Sequence, residues 1–185
     1  MKIHLFGASG SGVTTLGKRL AETLHSTYFD SDYYYWEPSE PPFTIRRNPE
    51  IRNHMLKESL AGHTHWILGG SVISWGEEWL SAFDLAVFLW IPHDLRIQRL
   101  KDREYMRYGE IIYSDPVRNK QYNDFIDWAA GYDDITARGR TLLAHEAWIQ
   151  KLTCPVLEIR GDLTVAEREQ RVLEQLNQLS QKSNN

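Results

Sequence analysis

The residues with the clearest chemical pattern are glycines and hydroxyl side chains near the start of the chain. Residues 7–15 read Gly-Ala-Ser-Gly-Ser-Gly-Val-Thr-Thr, between an apolar stretch and a series of regularly spaced leucines. Glycines there let backbone N–H groups converge on a phosphate, and the start of a helix adds a partial positive charge. The spacing fits the P-loop pattern G-x-x-x-x-G-K-[ST] except at the lysine. The sequence predicts a phosphate site formed by Gly7, Ala8, Ser9, Gly10, Ser11, Gly12, Val13, Thr14 and Thr15.

Val13 stands where the pattern has lysine, the side chain that reaches the terminal phosphates of a bound nucleotide. Three interpretations stay open. The protein binds nucleotide without turnover, it recruits another cation such as Lys18 or an arginine, or it binds a different phosphorylated ligand. The predicted ligand is ATP or another nucleoside triphosphate, held together with Mg²⁺.

Two carboxylates, Asp30 and Asp32, end the second predicted strand. Carboxylate and hydroxyl oxygens suit Mg²⁺, so Thr14 and Asp30 are the predicted metal ligands. Asp32 is the predicted catalytic residue that positions or deprotonates the hydroxyl of an acceptor. The alternative is that these residues cap a helix or turn.

Arginines follow the fourth predicted strand at positions 96, 99 and 103. Spacings of three and four place them on one helix face, where a row of guanidinium groups can hold phosphates. Arg99 and Arg103 are the predicted catalytic cations, and Arg138 and Arg140 could join them. The alternative is a solvated basic face.

An acceptor site is predicted from the segment that follows the second strand. Tyr35 and Trp36 belong to an aromatic run that could form a wall for a ring-shaped substrate, and Arg46 and Arg47 could meet an anionic acceptor. Gly70 ends the third strand at the same edge and completes the predicted set. Packing of this segment onto the core is the alternative.

The elements that must position these residues alternate between strand and helix. Strands are predicted over 2–6, 26–30, 66–70, 85–91 and 156–159, and helices over 13–25, 48–61, 77–82, 93–106, 116–130, 138–151 and 164–179, with 107–115 irregular. This order predicts an α/β P-loop NTPase fold, a five-stranded parallel sheet with helices on both faces. We expect one domain over 1–180 with a frayed tail over 181–185. An acceptor insert is expected over about 33–63 and a lid-like segment over about 103–124.

Composition limits the class of protein. The chain has 185 residues, a net charge of −4 and a single cysteine, so neither a basic nucleic-acid surface nor an internal disulfide framework is expected. No apolar run approaches the ~20 residues that span a bilayer, and no secretory signal is visible. We expect a cytoplasmic protein, a monomer or homodimer, whose partner is a small-molecule acceptor rather than nucleic acid or membrane.

With these motifs together, the chain resembles the adenylate-kinase-like group of P-loop proteins, which includes nucleoside, nucleotide, shikimate and gluconate kinases. Residues 30–32 resemble the Asp-x-Asp of shikimate kinases, and residues 66–70 resemble their third strand. Residues 99–103 resemble the entry to the lid, and residues 160–162 the adenine-contacting loop. The stretch 32–38 resembles bacterial adenylate-kinase-related proteins of the topology-modulation type, which usually keep the P-loop lysine.

The resemblance implies an ATP-dependent small-molecule kinase that transfers a phosphoryl group to a nucleoside, a nucleotide or a similar small acceptor. The alternative is a nucleotide-binding regulatory or partner-binding protein with weak or no turnover, which the valine at position 13 favours.

Overall fold

A parallel sheet of five strands lies at the centre of the computed structural model, which describes residues 1–183. The strands are β1 (Lys2–Gly7), β2 (Thr27–Asp30), β3 (Trp66–Gly69), β4 (Leu85–Trp90) and β5 (Val156–Arg160). All neighbouring pairs are parallel, in the order β2-β3-β1-β4-β5. The predicted five-stranded parallel sheet is confirmed, and the carboxyl ends of β1, β2 and β3 meet at one edge.

Helices connect the strands. They are α1 (Val13–Thr23), α2 (Ser31–Tyr35), α3 (Pro49–Ala61), α4 (His93–Tyr108), α5 (Ile111–Ser114), α6 (Pro116–Ala130), α7 (Leu142–Ile149) and α8 (Val165–Ser183). Glu77–Leu80 and Gly131–Asp133 form short 3₁₀ turns. No helix within residues 1–183 is long and apolar enough to cross a membrane.

The two faces of the sheet bury different side chains. Leu16 and Leu20 of α1 and Val172 of α8 pack on one face, beside aliphatic residues of β1, β3, β4 and β5. The other face is rich in aromatic rings, among them Phe6, Trp66, Phe88 and Trp148. Apolar burial on both faces explains why β4 is a continuous apolar run, and it confirms the predicted helices on both sides.

Two short helices were not expected from the sequence. α2 begins at Ser31 and takes in most of the aromatic run 33–36, because the Asp30 carboxylate accepts a hydrogen bond from the Asp32 N–H and so caps the first turn. This cap outweighs the general preference of consecutive tyrosines for extended structure. α5 lies within 107–115, a segment predicted to be irregular.

The ends of several helices also differ from the prediction. α7 begins at Leu142 rather than residue 138, because Thr141 caps it by accepting from the Ala144 N–H at 3.1 Å. α8 continues to Ser183, so residues 181–183 of the predicted tail are helical and residues 184–185 lie outside the described part.

The predicted insert is built around a small hairpin-like loop. A backbone bridge joins Trp36 to Arg46, and α3 leads back to the sheet. The predicted lid-like segment consists of the end of α4, α5 and the first half of α6. α4 and α6, which flank this segment, pack against each other through a small apolar cluster of Leu100, Ile126 and Ala129.

Candidate active site

The glycine-rich loop forms a tight turn between β1 and α1. Gly12 directly precedes α1 in the left-handed region, with φ of 98°, a conformation that glycine adopts without strain. α1 starts at Val13 with no side-chain cap, so the first N–H groups of the helix are available to an anion. Strand, glycine turn and helix thus follow one another in the predicted order, and phosphate binding by this loop stays a prediction.

The carboxylate of Asp30 lies beside this loop. Its Oδ2 accepts hydrogen bonds from the Thr14 hydroxyl at 3.5 Å and from the Tyr28 hydroxyl at 3.4 Å. β3 lies between β1 and β2 in the sheet. Its end must therefore carry small residues if the Asp30 carboxylate is to reach Thr14. Gly70, with φ of 96°, lies so close to Ser31 that a β-carbon would collide with the serine hydroxyl. Gly70 thus has a packing role next to the acid pair.

Asp32 lies in the first turn of α2, directly after Ser31. Its side chain is accessible to solvent, yet the surrounding protein displaces enough bulk water to raise its pKa. The negative charge of Asp30 adds to the rise, whereas Arg140 and Arg103 oppose it. A carboxylate with a raised pKa is a better proton acceptor than an ordinary aspartate, which suits a general base.

Arg140 connects the loop to the acid pair. Its Nη2 donates to the Ser9 hydroxyl at 2.9 Å, and it is the strongest cationic influence on Asp32. The guanidinium lies 4.9 Å from the centre of the Trp128 ring. Burial lowers the pKa of Arg140, but an arginine remains protonated near neutrality.

The arginines of α4 have three different environments. Arg96 is buried, donating to the Ala129 carbonyl and to Asp133, both at 2.6 Å. Arg99 pairs with Asp162, in the loop after β5, at 3.0 Å. Arg103 pairs with Glu104 at 3.2 Å and influences Asp32 electrostatically.

The residues predicted to bind the acceptor also have different environments. Tyr35 is half-buried and stacks on Trp75, and Trp36 packs edge-on against Tyr35. Arg46 is exposed, whereas Arg47 is buried and donates to the Trp36 carbonyl at 3.1 Å.

Arg47 also contacts the Met55 sulfur at 2.7 Å and pairs with Glu37 at 3.2 Å. These contacts give it a structural role within the insert.

Sequence reasoning missed one buried arginine beneath the loop. Arg168 of α8 donates to the Ser11 carbonyl at 2.6 Å and to the Gly161 carbonyl at 3.5 Å. It therefore joins the glycine loop to the loop after β5. A signal existed, because Arg168 lies four residues before Val172 and so falls on the apolar face of α8.

No family model matches the chain. The uncharacterized protein YqaC of Bacillus subtilis (strain 168) is 42% identical over 174 residues, covering 94% of this chain and 96% of YqaC. This chain belongs to the YqaC family. The relation extends over nearly the whole of both chains, so the family shares more than the glycine loop.

Kinases are more distant relatives of this YqaC family member. The shikimate kinase of Alteromonas mediterranea is 29% identical over 156 residues, covering 74% of this chain and 90% of the kinase. The solved shikimate kinase of Bacteroides thetaiotaomicron superposes with a TM-score of 0.56 at 21% identity, covering 96% of this chain and 98% of that one. The expected P-loop kinase fold is therefore confirmed, and the similarity in sequence is distant.

Proposed function

We propose that the protein is a phosphotransferase that uses ATP, or another nucleoside triphosphate, with Mg²⁺ to phosphorylate a small acceptor. The contact between Thr14 and Asp30 carries this proposal. In this contact the Asp30 carboxylate accepts from the Thr14 hydroxyl of the glycine-rich loop, with Asp32 two residues further on. A distant sequence likeness to shikimate kinases supports the same class of reaction, phosphoryl transfer.

The residues at this edge of the sheet fit a magnesium ion. A hydroxyl and a carboxylate 3.5 Å apart offer two hard oxygen ligands, and Mg²⁺ usually takes only one or two protein ligands with the rest from phosphates and water. Among residues 1–183, no group of three or more His, Cys, Asp or Glu side chains that could hold a metal ion occurs. Bound there, the ion would neutralise charge on the nucleotide phosphates.

The proposed reaction needs one base and several charge-stabilising groups. Asp32 accepts the proton of the acceptor hydroxyl, whose oxygen attacks the γ-phosphorus as the bond to the β-phosphate oxygen breaks and ADP leaves. Residues 7–15 hold the phosphates. Arg103 influences Asp32 electrostatically, and Arg99 is paired with Asp162 in the loop after β5.

The acceptor site remains a proposal. We assign the acceptor, a nucleoside, nucleotide or similar ring compound, to the cleft side of the insert, with Tyr35, Trp36, Arg46 and Gly70 nearby. A monomer or homodimer in the cytoplasm and a link to the topology-modulation type stay predictions.

One observation favours a second candidate function. Val13 carries no charge, so the protein could bind nucleotide as a regulator with weak or no turnover. The two candidates share the nucleotide site and differ only in phosphoryl transfer.

Thermal unfolding with nucleotides tests the shared site. We expect ATP with Mg²⁺ at millimolar concentration to raise the melting temperature, because a ligand that binds only the folded state stabilises it. Asp30→Asn should weaken the effect of Mg²⁺ on ATP binding while leaving Mg²⁺-free ATP binding nearly unchanged. Absence of any shift with nucleoside di- and triphosphates would refute the proposal. Phosphorus NMR with a panel of nucleosides and small hydroxyl acids then separates the kinase from the regulator.

A further inference from the structure

The position of the missing P-loop lysine is filled by a side chain that belongs to the core. Val13 is half-buried and packs against the aliphatic cluster beneath α1. The first turn of α1 therefore offers no cation to the terminal phosphates. A phosphotransferase with this loop needs positive charge from elsewhere, since charge develops on the transferred group.

We infer that Arg140 supplies this charge and is a catalytic residue that contacts the transferred phosphoryl group. The inference rests on the proposed function. It is based on the position of Arg140 between the loop proposed to hold the phosphates and the proposed base, Asp32. The guanidinium is hydrogen-bonded to Ser9 of the phosphate loop at 2.9 Å and is the largest cationic influence on Asp32, the proposed base.

The surroundings of Arg140 hold the charge in place before any ligand binds. The ring of Trp128 lies 4.9 Å from the guanidinium carbon, within cation–π range. Thr141, the next residue, is buried and caps α7, so the backbone beside Arg140 is fixed. A planar guanidinium can keep its bond to Ser9 and still present other N–H groups to phosphate oxygens.

Other cations near the loop are engaged differently. Arg96 and Arg168 are buried and donate to backbone carbonyls, while Arg99 is paired with Asp162. Arg103 influences Asp32 but is also paired with Glu104. Lys18 is exposed on α1. Among residues 1–183, Arg140 is the cation that donates directly to a side chain of the phosphate loop.

The test compares ATP with ADP, because the inferred contact is to the terminal phosphate. We expect the wild-type protein to bind ATP with Mg²⁺ more tightly than ADP with Mg²⁺ by calorimetry. Arg140→Gln should weaken ATP binding about tenfold and ADP binding less than threefold, and should lower any turnover at least a hundredfold. Arg140→Lys should retain part of the preference for ATP. Arg171→Ala, which removes an exposed arginine of α8, is the matched control and should change neither value.

A second variant tests whether Arg140 replaces the lysine that the P-loop pattern has at position 13. In the Arg140→Gln background, Val13→Lys should restore at least half of the preference for ATP. In the wild-type background it should add little, because two cations would compete for one phosphate. A folded Arg140→Gln protein that keeps the wild-type ATP preference would overturn the inference, as would a wild-type protein that binds both nucleotides equally. If Arg140→Gln fails to fold, Arg140→Lys and Val13→Lys decide: a large gain from Val13→Lys alone would also overturn it.

The same measurements separate the two proposals. A wild-type protein that binds neither ATP nor ADP would refute the proposed function itself. Nucleotide binding and turnover that survive in Arg140→Gln would leave the proposed function standing and refute the role of Arg140 alone.

Discussion

At the scale of residues, the same side-chain type has different environments along one helix. Arg96, Arg99 and Arg103 share a helix face by spacing, but Arg96 is directed into the interior. Asp133 of a 3₁₀ turn and the Ala129 carbonyl both accept from its guanidinium. The spacing of three and four predicts which residues share a face, but it cannot show which partner lies opposite each one. The partner then decides whether an arginine is structural or free to meet a phosphate.

Replacement of Asp32 by asparagine isolates its proposed role as a base. We expect Asp32→Asn to lower the rate of phosphoryl transfer by two or more orders of magnitude with little change in ATP affinity, because the amide cannot accept the proton. The rate of the wild-type protein should also fall as the pH decreases through the raised pKa of Asp32, so the fall should begin above the range of an ordinary aspartate. Steady-state rates and calorimetry measure both effects. Asp94→Asn, an exposed carboxylate on α4, is the control, and a near-native rate in Asp32→Asn would remove Asp32 from the mechanism.

At the scale of elements, capping side chains decide where the site residues lie. Asp30 ends β2 and caps α2, so the same carboxylate that approaches Thr14 also sets the start of the helix that carries Asp32. The two alternatives for this pair, helix capping and metal binding, are therefore compatible at Asp30, which caps α2 and also approaches Thr14. Thr141 likewise caps α7 and so fixes the backbone next to Arg140.

The cap of α7 should therefore affect both stability and the site. Thr141→Ala removes the acceptor for the Ala144 N–H and should lower the free energy of unfolding by about 1 kcal/mol, whereas Thr141→Ser should cost much less. Because Arg140 is adjacent, Thr141→Ala should also reduce the preference for ATP over ADP. Urea unfolding and calorimetry are the measurements. Equal stability of the alanine and serine variants would show that the cap contributes nothing.

Sequence patterns predicted the five strands and the long helices because apolar runs and helical periodicity are local properties. The predicted strand ends therefore put Gly12, Asp30 and Gly70 at one edge of the sheet, where the structure also has them. The contact from Arg140 to Ser9 joins residues 131 positions apart and has no local signature. The sequence predicted Arg140 inside a helix over 138–151 and suggested that it could join the arginines of α4, but only the packing of α7 against the sheet brings it to the phosphate loop.

At the scale of the whole molecule, the aromatic face of the sheet contains two buried histidines. His4 of β1 is hydrogen-bonded through Nδ1 to the Leu68 carbonyl at 3.0 Å, and its Nε2 has no partner among the described residues. His145 of α7 lies between the Ser71 hydroxyl, 3.1 Å away, and the Tyr132 hydroxyl, 2.6 Å away. Burial is the main influence that lowers the pKa of each to about 3, and the charge of Arg140 adds to the effect at His145.

These histidines should make the fold sensitive to mild acid. Their pKa is lower in the folded protein than the ordinary value of 6.5, so the unfolded chain binds more protons as the pH falls below about 6.5. Stability should be greatest above that pH and decline below it. For two such groups, we expect the free energy of unfolding to fall by about 3 kcal/mol between pH 7.5 and 5.5. Urea unfolding at the two pH values measures the difference.

Replacing one buried and one exposed histidine distinguishes the contribution of the buried histidines to the pH dependence from that of other groups. His4→Phe places an aromatic ring beside Phe6 and Phe83, which already stack on His4, and should remove about half of the pH dependence whatever its effect on stability at pH 7.5. His54→Ala, which removes an exposed histidine of α3, should leave the dependence unchanged. The carboxylates with a lowered pKa, such as Glu169 and Glu167, lose their contribution only below the ordinary value of 4.5, outside this interval. An undiminished pH dependence in His4→Phe would show that protons enter the unfolding equilibrium elsewhere.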